Sequence, residues 1–162
     1  MQSEISTYVL LAGLAIALLW VIVTDLKSRT ISNRLTMAVA LCAPVFWLST
    51  GLPLWPGVAL QIGLAAIVFA VCCILFAIRQ MGSGDVKLLS ALALWIPPMA
   101  FLKLLLVMSL IGGVLTLVLA MWHFTVTRRR DAKIPYGVAI ASAGLITLFP
   151  QLEAGWRTVT GA

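Results

Sequence analysis

Two aspartates are the residues of this sequence best suited to acid–base chemistry. The chain has only five acidic residues, and Asp25 and Asp85 each lie at the end of an apolar stretch. Two carboxyl groups held close together can share a proton, because like charges at short range separate their two pKa values. The ionised partner can then take a proton from water while the neutral partner protonates a carbonyl oxygen. Such a pair suits the hydrolysis of a peptide bond without a metal or a covalent intermediate.

Each aspartate also has a purely structural interpretation. Asp85 follows a Gly-Ser-Gly sequence and could cap a new helix, since Asp is a preferred N-cap residue and such sequences are common in turns. Asp25 could be a solvated residue that ends the first apolar span, balanced by Lys27 and Arg29. The functional interpretation is favoured when the two are taken together, because both lie on the same side of a chain with few acids.

The residues around Asp85 suggest how a substrate could reach it. Gly82 and Gly84 would permit tight backbone conformations and the close approach of another chain. A peptide that lies extended beside the attacking carboxylate could use such a loop. Lys87 could stabilise the ionised form of a nearby acid.

Composition decides the class of protein. Hydrophobic residues make up 62% of the chain and charged residues 10%, whereas a soluble domain carries about 25% charge. The missing polar surface indicates a polytopic membrane protein. The net charge of +6 therefore reports membrane topology rather than a nucleic-acid partner. The three cysteines lie in apolar runs without a CxxC pair, so we expect no metal and no cofactor.

The apolar runs predict an all-α bundle of six transmembrane helices, forming a single membrane-embedded domain over 1–162. The predicted spans are roughly Thr7–Thr24, Leu35–Thr50, Gly57–Ile78, Val86–Ile96, Phe101–Phe124 and Tyr136–Phe149. The fourth is short and stops against a pair of prolines. The first should be a retained span rather than a cleaved signal peptide, because the residues before it include Glu4 and no Lys or Arg.

Basic residues predict the orientation of the bundle. Nine of the eleven fall in the first, third and fifth loops, and loops rich in Lys and Arg stay in the cytoplasm. Both termini are then on the outer side, and Asp25 and Asp85 lie at the cytoplasmic face. Asp131 is interpreted as part of the solvated fifth loop.

Three segments form a set when they are taken together: DLKSRTISN at 25–33, GSGDVKL at 82–88 and IPYGVAI at 134–140. They resemble the prepilin peptidase family, a group of GxGD-type intramembrane aspartyl proteases. The first two resemble the segments around that family's catalytic aspartates. The third resembles the start of its last helix, which is thought to border the site. Ser32 stands where many members have Pro, which affects the shape of the loop rather than the chemistry.

The resemblance implies a function and a set of site residues. Asp25 and Asp85 would be catalytic, and the residues that support the site would be Gly82, Gly84, Lys87, Asn33, Pro135, Tyr136 and Gly137. The substrate would be a prepilin or pseudopilin precursor in a bacterial inner membrane, cleaved after a Gly at the cytoplasmic edge. The chain resembles the short, peptidase-only form associated with Flp/Tad-type pili, since it lacks the cysteine-rich segment linked to N-methylation in larger members. The oligomeric state is not indicated.

Two other functions fit parts of the sequence. A small proton-coupled transporter subunit would need polar residues at mid-membrane depth, for which Gln61, Ser109 and Thr116 are scattered candidates. A structural membrane component of a secretion or pilus assembly would tolerate replacement of both aspartates. His123 is interpreted as an interfacial anchor, because the sequence shows no partner that would make it a base.

Overall fold

The described part of the chain is all helical. A computed structural model describes residues 2–122 and 136–160. Its α-helices are α1 Gln2–Ser28, α2 Asn33–Ser49, α3 Ala59–Ala77, α4 Ser83–Ala93, α5 Pro98–Trp122 and α6 Tyr136–Thr160. An irregular helical turn, Leu54–Val58, leads into α3. Within the described ranges there is no strand, so the prediction of an all-α chain with six helices is confirmed.

Four segments are long and apolar enough to cross a membrane, and they are Glu4–Ser28, Leu54–Ala77, Pro98–Val118 and Tyr136–Ala154. Helix α2 has 17 residues and α4 only 11. At 1.5 Å per residue, α4 is about 16 Å long, roughly half of the ~30 Å hydrocarbon core. The fourth predicted span is therefore a helix too short to cross that core alone, and most of its residues are buried against other helices.

The surface of the bundle is as apolar as its interior. Large side chains with more than 60% of their surface exposed include Ile16, Leu41, Ile67, Leu106 and Leu110. Water would penalise such a surface, whereas lipid tails do not. The described helices therefore fit a multi-pass membrane protein. Which side of the membrane each loop faces stays a prediction.

Helix α1 buries one stripe that ends on an aspartate. Its buried residues are Leu11, Leu14, Leu18, Val21 and Asp25, spaced three or four apart as a single helix face requires. This stripe packs on α6. Asp25 therefore belongs to the inward face of α1 rather than to the loop beyond it.

Small residues on α6 let its neighbours approach closely. Ala139 and Ala143 are fully buried, and a Cβ added to Gly144 would lie 3.0 Å from Leu18 Cδ1 and 3.5 Å from Leu92 Cδ1. Leu18 belongs to α1 and Leu92 to α4. Helix α6 thus separates α1 from α4 and contacts both.

Helix α4 lies at the centre of the bundle, packed on α2, α3 and α6. Its C-terminal end is held by side chains of neighbouring helices: the Trp47 indole N–H donates to the Leu94 carbonyl oxygen at 2.8 Å. Trp95 stacks on Phe46 with ring centroids 4.9 Å apart. The position of α4 along the bundle is therefore fixed at its C-terminal end, the end remote from Asp85.

Three helix boundaries differ from the prediction in ways that matter. Helix α1 continues to Ser28, so Asp25 is helical, and α4 begins at Ser83, so Asp85 lies within its first turn. Helix α6 continues through Pro150 to Thr160, past the predicted end at Phe149. A proline removes one backbone hydrogen bond, which a helix packed among others can tolerate.

Candidate active site

The site is built where three helix ends meet: the C-terminal end of α1, the N-terminal end of α4 and the N-terminal end of α6. These ends carry the three sequence segments that resemble a protease family. The backbone N–H of Val138 donates to Asp25 Oδ2 at 3.1 Å, which joins α6 to α1. The Ile31 side chain contacts α4 beside Gly84, which joins the α1–α2 connector to the segment of Asp85.

Asp25 is 5% exposed, and its carboxyl group faces the N-terminus of α6. The first N–H groups of a helix have no partner within it and carry partial positive charge. Here the N–H of Val138 and that of Gly137 are directed at the Asp25 carboxyl group. The interpretation of Asp25 as a solvated residue is therefore wrong, because backbone donors of another helix hold it inside the bundle.

Asp85 is partly buried at the third position of α4, whose N-cap is Gly82. The interpretation of Asp85 as the N-cap is therefore wrong. It lies outside the four long apolar spans. Burial first, and the neighbouring Asp25 carboxylate second, raise the pKa of Asp85 to about 6, against the opposing effect of the Gly82 backbone N–H. The two carboxyl groups are thus near enough to interact electrostatically.

The glycines before Asp85 serve packing rather than unusual backbone conformation. Gly82 has φ −76°, and Gly84 is helical, so neither needs the left-handed region that favours glycine. A Cβ on Gly82 would lie 2.9 Å from Asp85 Oδ2, and one on Gly84 would lie 3.0 Å from Ile31 Cβ. The expected tight backbone conformation is therefore absent at these two glycines. The expected close approach does occur at Gly84, but the approaching segment is the chain's own Ile31.

Lys87 ties two of the predicted segments together. Its amine donates to Asn33 Oδ1 at 2.9 Å, and both side chains are exposed. The structure therefore brings together two predicted site residues from α4 and α2. Lys87 was expected to stabilise an acid, but its hydrogen bond goes to an amide oxygen instead.

The start of α6 places Gly137 against Asp25. A Cβ on Gly137 would lie 2.7 Å from Asp25 Oδ2, so no side chain fits there while the carboxyl group keeps its position. Tyr136 instead packs towards α5, where a Cβ on Gly112 would lie 3.6 Å from its Cε1. Pro135, His123 and Asp131 lie outside the described residues.

A second feature lies at the other end of α4, away from both aspartates. A cleft of about 290 Å³ is lined there mainly by aromatic and aliphatic side chains, Trp47 and Trp95 among them, together with a few polar ones such as Gln61 and Gln151. Gln61 is buried and its amide N–H groups donate to the carbonyl oxygens of Ala93 and Ile96 at 3.1 and 2.8 Å. Gln61 therefore serves to complete the hydrogen bonding of the chain after α4.

The other polar residues within the predicted spans are accounted for locally. The Thr116 hydroxyl donates to the Gly112 carbonyl oxygen of its own helix at 2.7 Å. Ser109 lies on the exposed face of α5. No hydrogen bond joins either residue to Asp25 or Asp85 in the part of the chain that the structure describes.

Comparison with known proteins identifies the family. The model of the type IV leader peptidase family matches residues 12–117, most of the chain and both aspartate segments. The chain belongs to this family. Leader peptidase relatives include a protein of Xanthomonas campestris pathovar campestris, named prepilin leader peptidase/N-methyltransferase. It is 41% identical over 69 residues, which cover 43% of this chain and 23% of the relative.

Longer matches come from two strains of Burkholderia pseudomallei, whose proteins have the same name. Each is 30% identical over 147 residues, which cover 85% of this chain and 45% of the relative. The chain thus spans less than half the length of the curated leader peptidases that it matches. No solved structure matches the chain significantly.

Two contacts of the site were not predicted. Ile31 lies within the quoted 25–33 segment but was not named as a site residue, and the Val138 N–H acts through the backbone. Val138 donates to the Asp25 carboxyl group, 113 positions away in the sequence, so no local sequence pattern could predict the contact. The only available signal was the Gly137 that precedes it, since an absent side chain near a helix start permits close approach.

Proposed function

We propose that this chain is an intramembrane aspartyl endopeptidase that removes the leader from prepilin-type precursors, with Asp25 and Asp85 as its catalytic pair. The observation that carries the proposal is the junction of three helix ends, where two acids from separate segments interact in a chain of the leader peptidase family. Gly82, Gly84, Asn33, Lys87 and Gly137 support this pair.

The surroundings of the two acids support different roles for them. Asp85 has a raised pKa of about 6 and would hold the shared proton. Asp25 accepts the Val138 N–H, an arrangement that suits an ionised carboxylate. Asp25 would therefore act as the base that activates water, and Asp85 as the acid that protonates the scissile carbonyl.

The reaction then balances without any further group. Asp25 takes a proton from water while the water oxygen bonds to the scissile carbon, and Asp85 gives its proton to the carbonyl oxygen. In the second step the C–N bond breaks, the amine nitrogen receives the proton held by Asp25, and Asp85 recovers a proton from the diol. Both carboxyl groups return to their starting states.

The position of the pair supports a substrate cut at a membrane edge. Both acids lie at helix ends, and Asp85 is only partly buried whereas Asp25 is buried, so water would reach the pair from the side of Asp85. A precursor whose basic leader stays in the cytoplasm and whose apolar helix enters the bilayer would present its scissile bond at that level. We place cleavage after the Gly that ends the leader, on the cytoplasmic side of a bacterial inner membrane.

The transporter alternative loses support from the hydrogen bonds of the spans. Proton coupling needs polar groups free to bind protons or water along a path. Gln61 and Thr116 are instead hydrogen-bonded to backbone carbonyl oxygens. Neither residue continues a polar path from the aspartates.

The test is removal of one carboxyl group at a time. The protein is produced with a prepilin-type precursor in cells lacking such a peptidase, and leader removal is followed by the shift in precursor mass. Asp25→Asn and Asp85→Asn keep the side-chain size but abolish acid–base exchange, so each should lower the rate by about 10²- to 10⁴-fold. Glu4→Gln is the matched control, because Glu4 is an exposed acid at the opposite end of α1.

Three results would count against the proposal. Normal processing by either aspartate variant, at equal membrane levels, would show that the two aspartates are not a catalytic pair. Proton flux in liposomes without any processing would indicate a transporter. Assembly that continues normally with both aspartates replaced would indicate a structural component.

A further inference from the structure

We propose that Ile31 is the positioning residue of this site, a wedge in the α1–α2 connector that sets the separation of Asp25 and Asp85. The inference rests on the proposed function, since it concerns how the same two acids are held. It assigns to the Ile31 side chain a role that neither its burial nor its residue type alone would suggest.

The need for a wedge follows from the packing of the helices. Among the described elements, α1 and α4 pack on each other hardly at all, and each packs instead on α2 and α6. Asp25 and Asp85 therefore belong to helices with little direct contact. Their separation must be set by whatever lies between the end of α1 and the start of α4.

Ile31 occupies that place with contacts on two sides. A Cβ on Gly84 would lie 3.0 Å from Ile31 Cβ, and one on Gly137 would lie 2.9 Å from Ile31 Cδ1. Gly84 immediately precedes Asp85, and Gly137 is the residue that faces Asp25. One side chain thus reaches from the start of α4 to the start of α6, next to both acids.

The connector itself is anchored on both sides of Ile31. Arg29, the first residue after α1, has the left-handed backbone conformation, with φ 52°. Its N–H donates to the Asp25 carbonyl oxygen at 3.0 Å. Asn33 is the first residue of α2, and its side-chain oxygen accepts a hydrogen bond from the Lys87 amine. The wedge is therefore attached to the turn of Asp25 before it and to the helix of Asp85 after it.

Small displacements at such a site have large effects. Two groups that must act on one carbonyl need their geometry held within about 0.5 Å, and a displacement of about 1 Å can lower the rate roughly 100-fold. Truncating Ile31 removes the atoms that lie between Gly84 at the start of α4 and Gly137 at the start of α6. The two carboxyl groups should then lose their fixed separation without losing either acid.

The experiment compares Ile31→Ala with Ile31→Val in the full chain, on a purified precursor. We expect kcat of Ile31→Ala to fall about 10- to 100-fold while KM stays within about twofold, because the substrate contacts are unchanged. Ile31→Val keeps the Cβ branch against Gly84 and should retain activity within about threefold. Leu35→Ala is the matched control, since Leu35 is also partly buried against the core, four positions along the chain.

The pH profile separates positioning from general destabilisation. The groups that face Asp85 are Asp25 of α1 and the Cys72 thiol of α3, while Lys87 on its own helix is turned to Asn33. Arg34 of α2 is exposed, and the N–H groups at the start of α6 are directed at Asp25. Moving Asp25 away and admitting water would both lower the pKa of Asp85. In Ile31→Ala the decrease of kcat/KM at high pH should therefore begin at lower pH, whereas in Leu35→Ala it should not move.

The possible outcomes are distinct. A wild-type kcat and an unmoved alkaline limb in Ile31→Ala would overturn the inference, and so would a change in KM alone. A higher kcat/KM would also overturn it, by indicating that Ile31 blocks the substrate. If Ile31→Ala does not accumulate in membranes, the same limb is measured in Ile31→Val, where a smaller shift in the same direction is required. Inactivity of the wild-type protein itself would instead contradict the proposed function.

Discussion

At its C-terminal end, α4 is held by neutral side-chain donors, whereas at its N-terminal end it brings an acid towards another acid. The Trp47 indole and the Gln61 amide donate to carbonyl oxygens of Ala93, Leu94 and Ile96. These are the carbonyl groups that a helix end leaves without partners. At the other end the partly buried Asp85 interacts with the Asp25 carboxylate.

The difference separates what stabilises the bundle from what equips it for chemistry. Hydrogen bonds from Trp47 and Gln61 leave no charge and satisfy the backbone, so they contribute to stability. The aspartate end places like charges close together and keeps glycines where side chains would collide with carboxyl groups. Such an arrangement opposes stability and is typical of functional sites. Substitutions at the two ends should therefore affect different quantities.

Among substitutions that keep both acids, the largest effect is expected from Gly137→Ala. The new Cβ would lie 2.7 Å from Asp25 Oδ2, so the carboxyl group must move, and we expect leader removal to fall by about 100-fold or more. The collision, which includes Ile31 Cδ1 at 2.9 Å, also lowers stability, but alanine favours a helix by up to ~1 kcal/mol over glycine. Activity should therefore fall by much more than stability. Activity and the thermal midpoint are measured on the same detergent-purified protein.

The matched control for that variant is Gly113→Ala on α5, where an added Cβ meets nothing within 4 Å. It should leave processing unchanged. An active Gly137→Ala enzyme would show that the exact position of Asp25 does not matter for the reaction.

The next effect is the pH dependence of the unmodified enzyme. Asp85 must be protonated to act as the acid, and its protonated fraction falls as pH rises through its pKa of about 6. We therefore expect kcat/KM to decrease above pH ~6, by up to tenfold per pH unit. The variant Gln61→Leu, which changes an α3 residue beside the opposite end of α4, should show the same decrease at high pH. A flat profile from pH 5 to 8 would contradict the assigned roles.

The fold was predicted where the signal is local, since six apolar runs gave six helices. The scarcity of acids directed attention to Asp25 and Asp85, whose catalytic role stays a prediction. Local patterns failed at the helix ends, because α6 passes through Pro150 and α4 starts before Asp85. A proline or a charge suggests a boundary, but packing against neighbouring helices decides where the helix ends.

Contacts between distant segments could not be predicted at all. The role of Gly84 depends on Ile31, and that of Gly137 depends on Asp25. Gly84 was therefore interpreted by its own flexibility, and Gly137 only through the resemblance of its segment. Gln61 was counted as a candidate for proton transport because its partners after α4 are invisible in its own span. The sequence indicates which residues are unusual, whereas the fold determines what each of them meets.

A smaller effect, on stability alone, is expected from Gln61→Leu. The change leaves the Ala93 and Ile96 carbonyl oxygens without the Gln61 donor, which should lower the free energy of unfolding by about 1 kcal/mol. The activity per folded molecule should stay at the wild-type level. Gln80→Leu, at an exposed position, is the control for adding a leucine. Lost activity with unchanged stability would mean that the two ends of α4 are not separate in function.

The smallest effect is expected from the hydrogen bond between Lys87 and Asn33, which is exposed to solvent. Lys87→Met and Asn33→Leu each remove it, and each should lower kcat by about two- to fivefold, because a bond of this kind contributes about 0.5–1 kcal/mol. The double variant should lose no more than the stronger single variant, since both changes break one contact. Lys27→Met, at an exposed position on the last turn of α1, controls for the loss of a nearby charge. If the two losses multiply instead, the residues act independently, and the link between the α2 and α4 ends does not help to hold the aspartates.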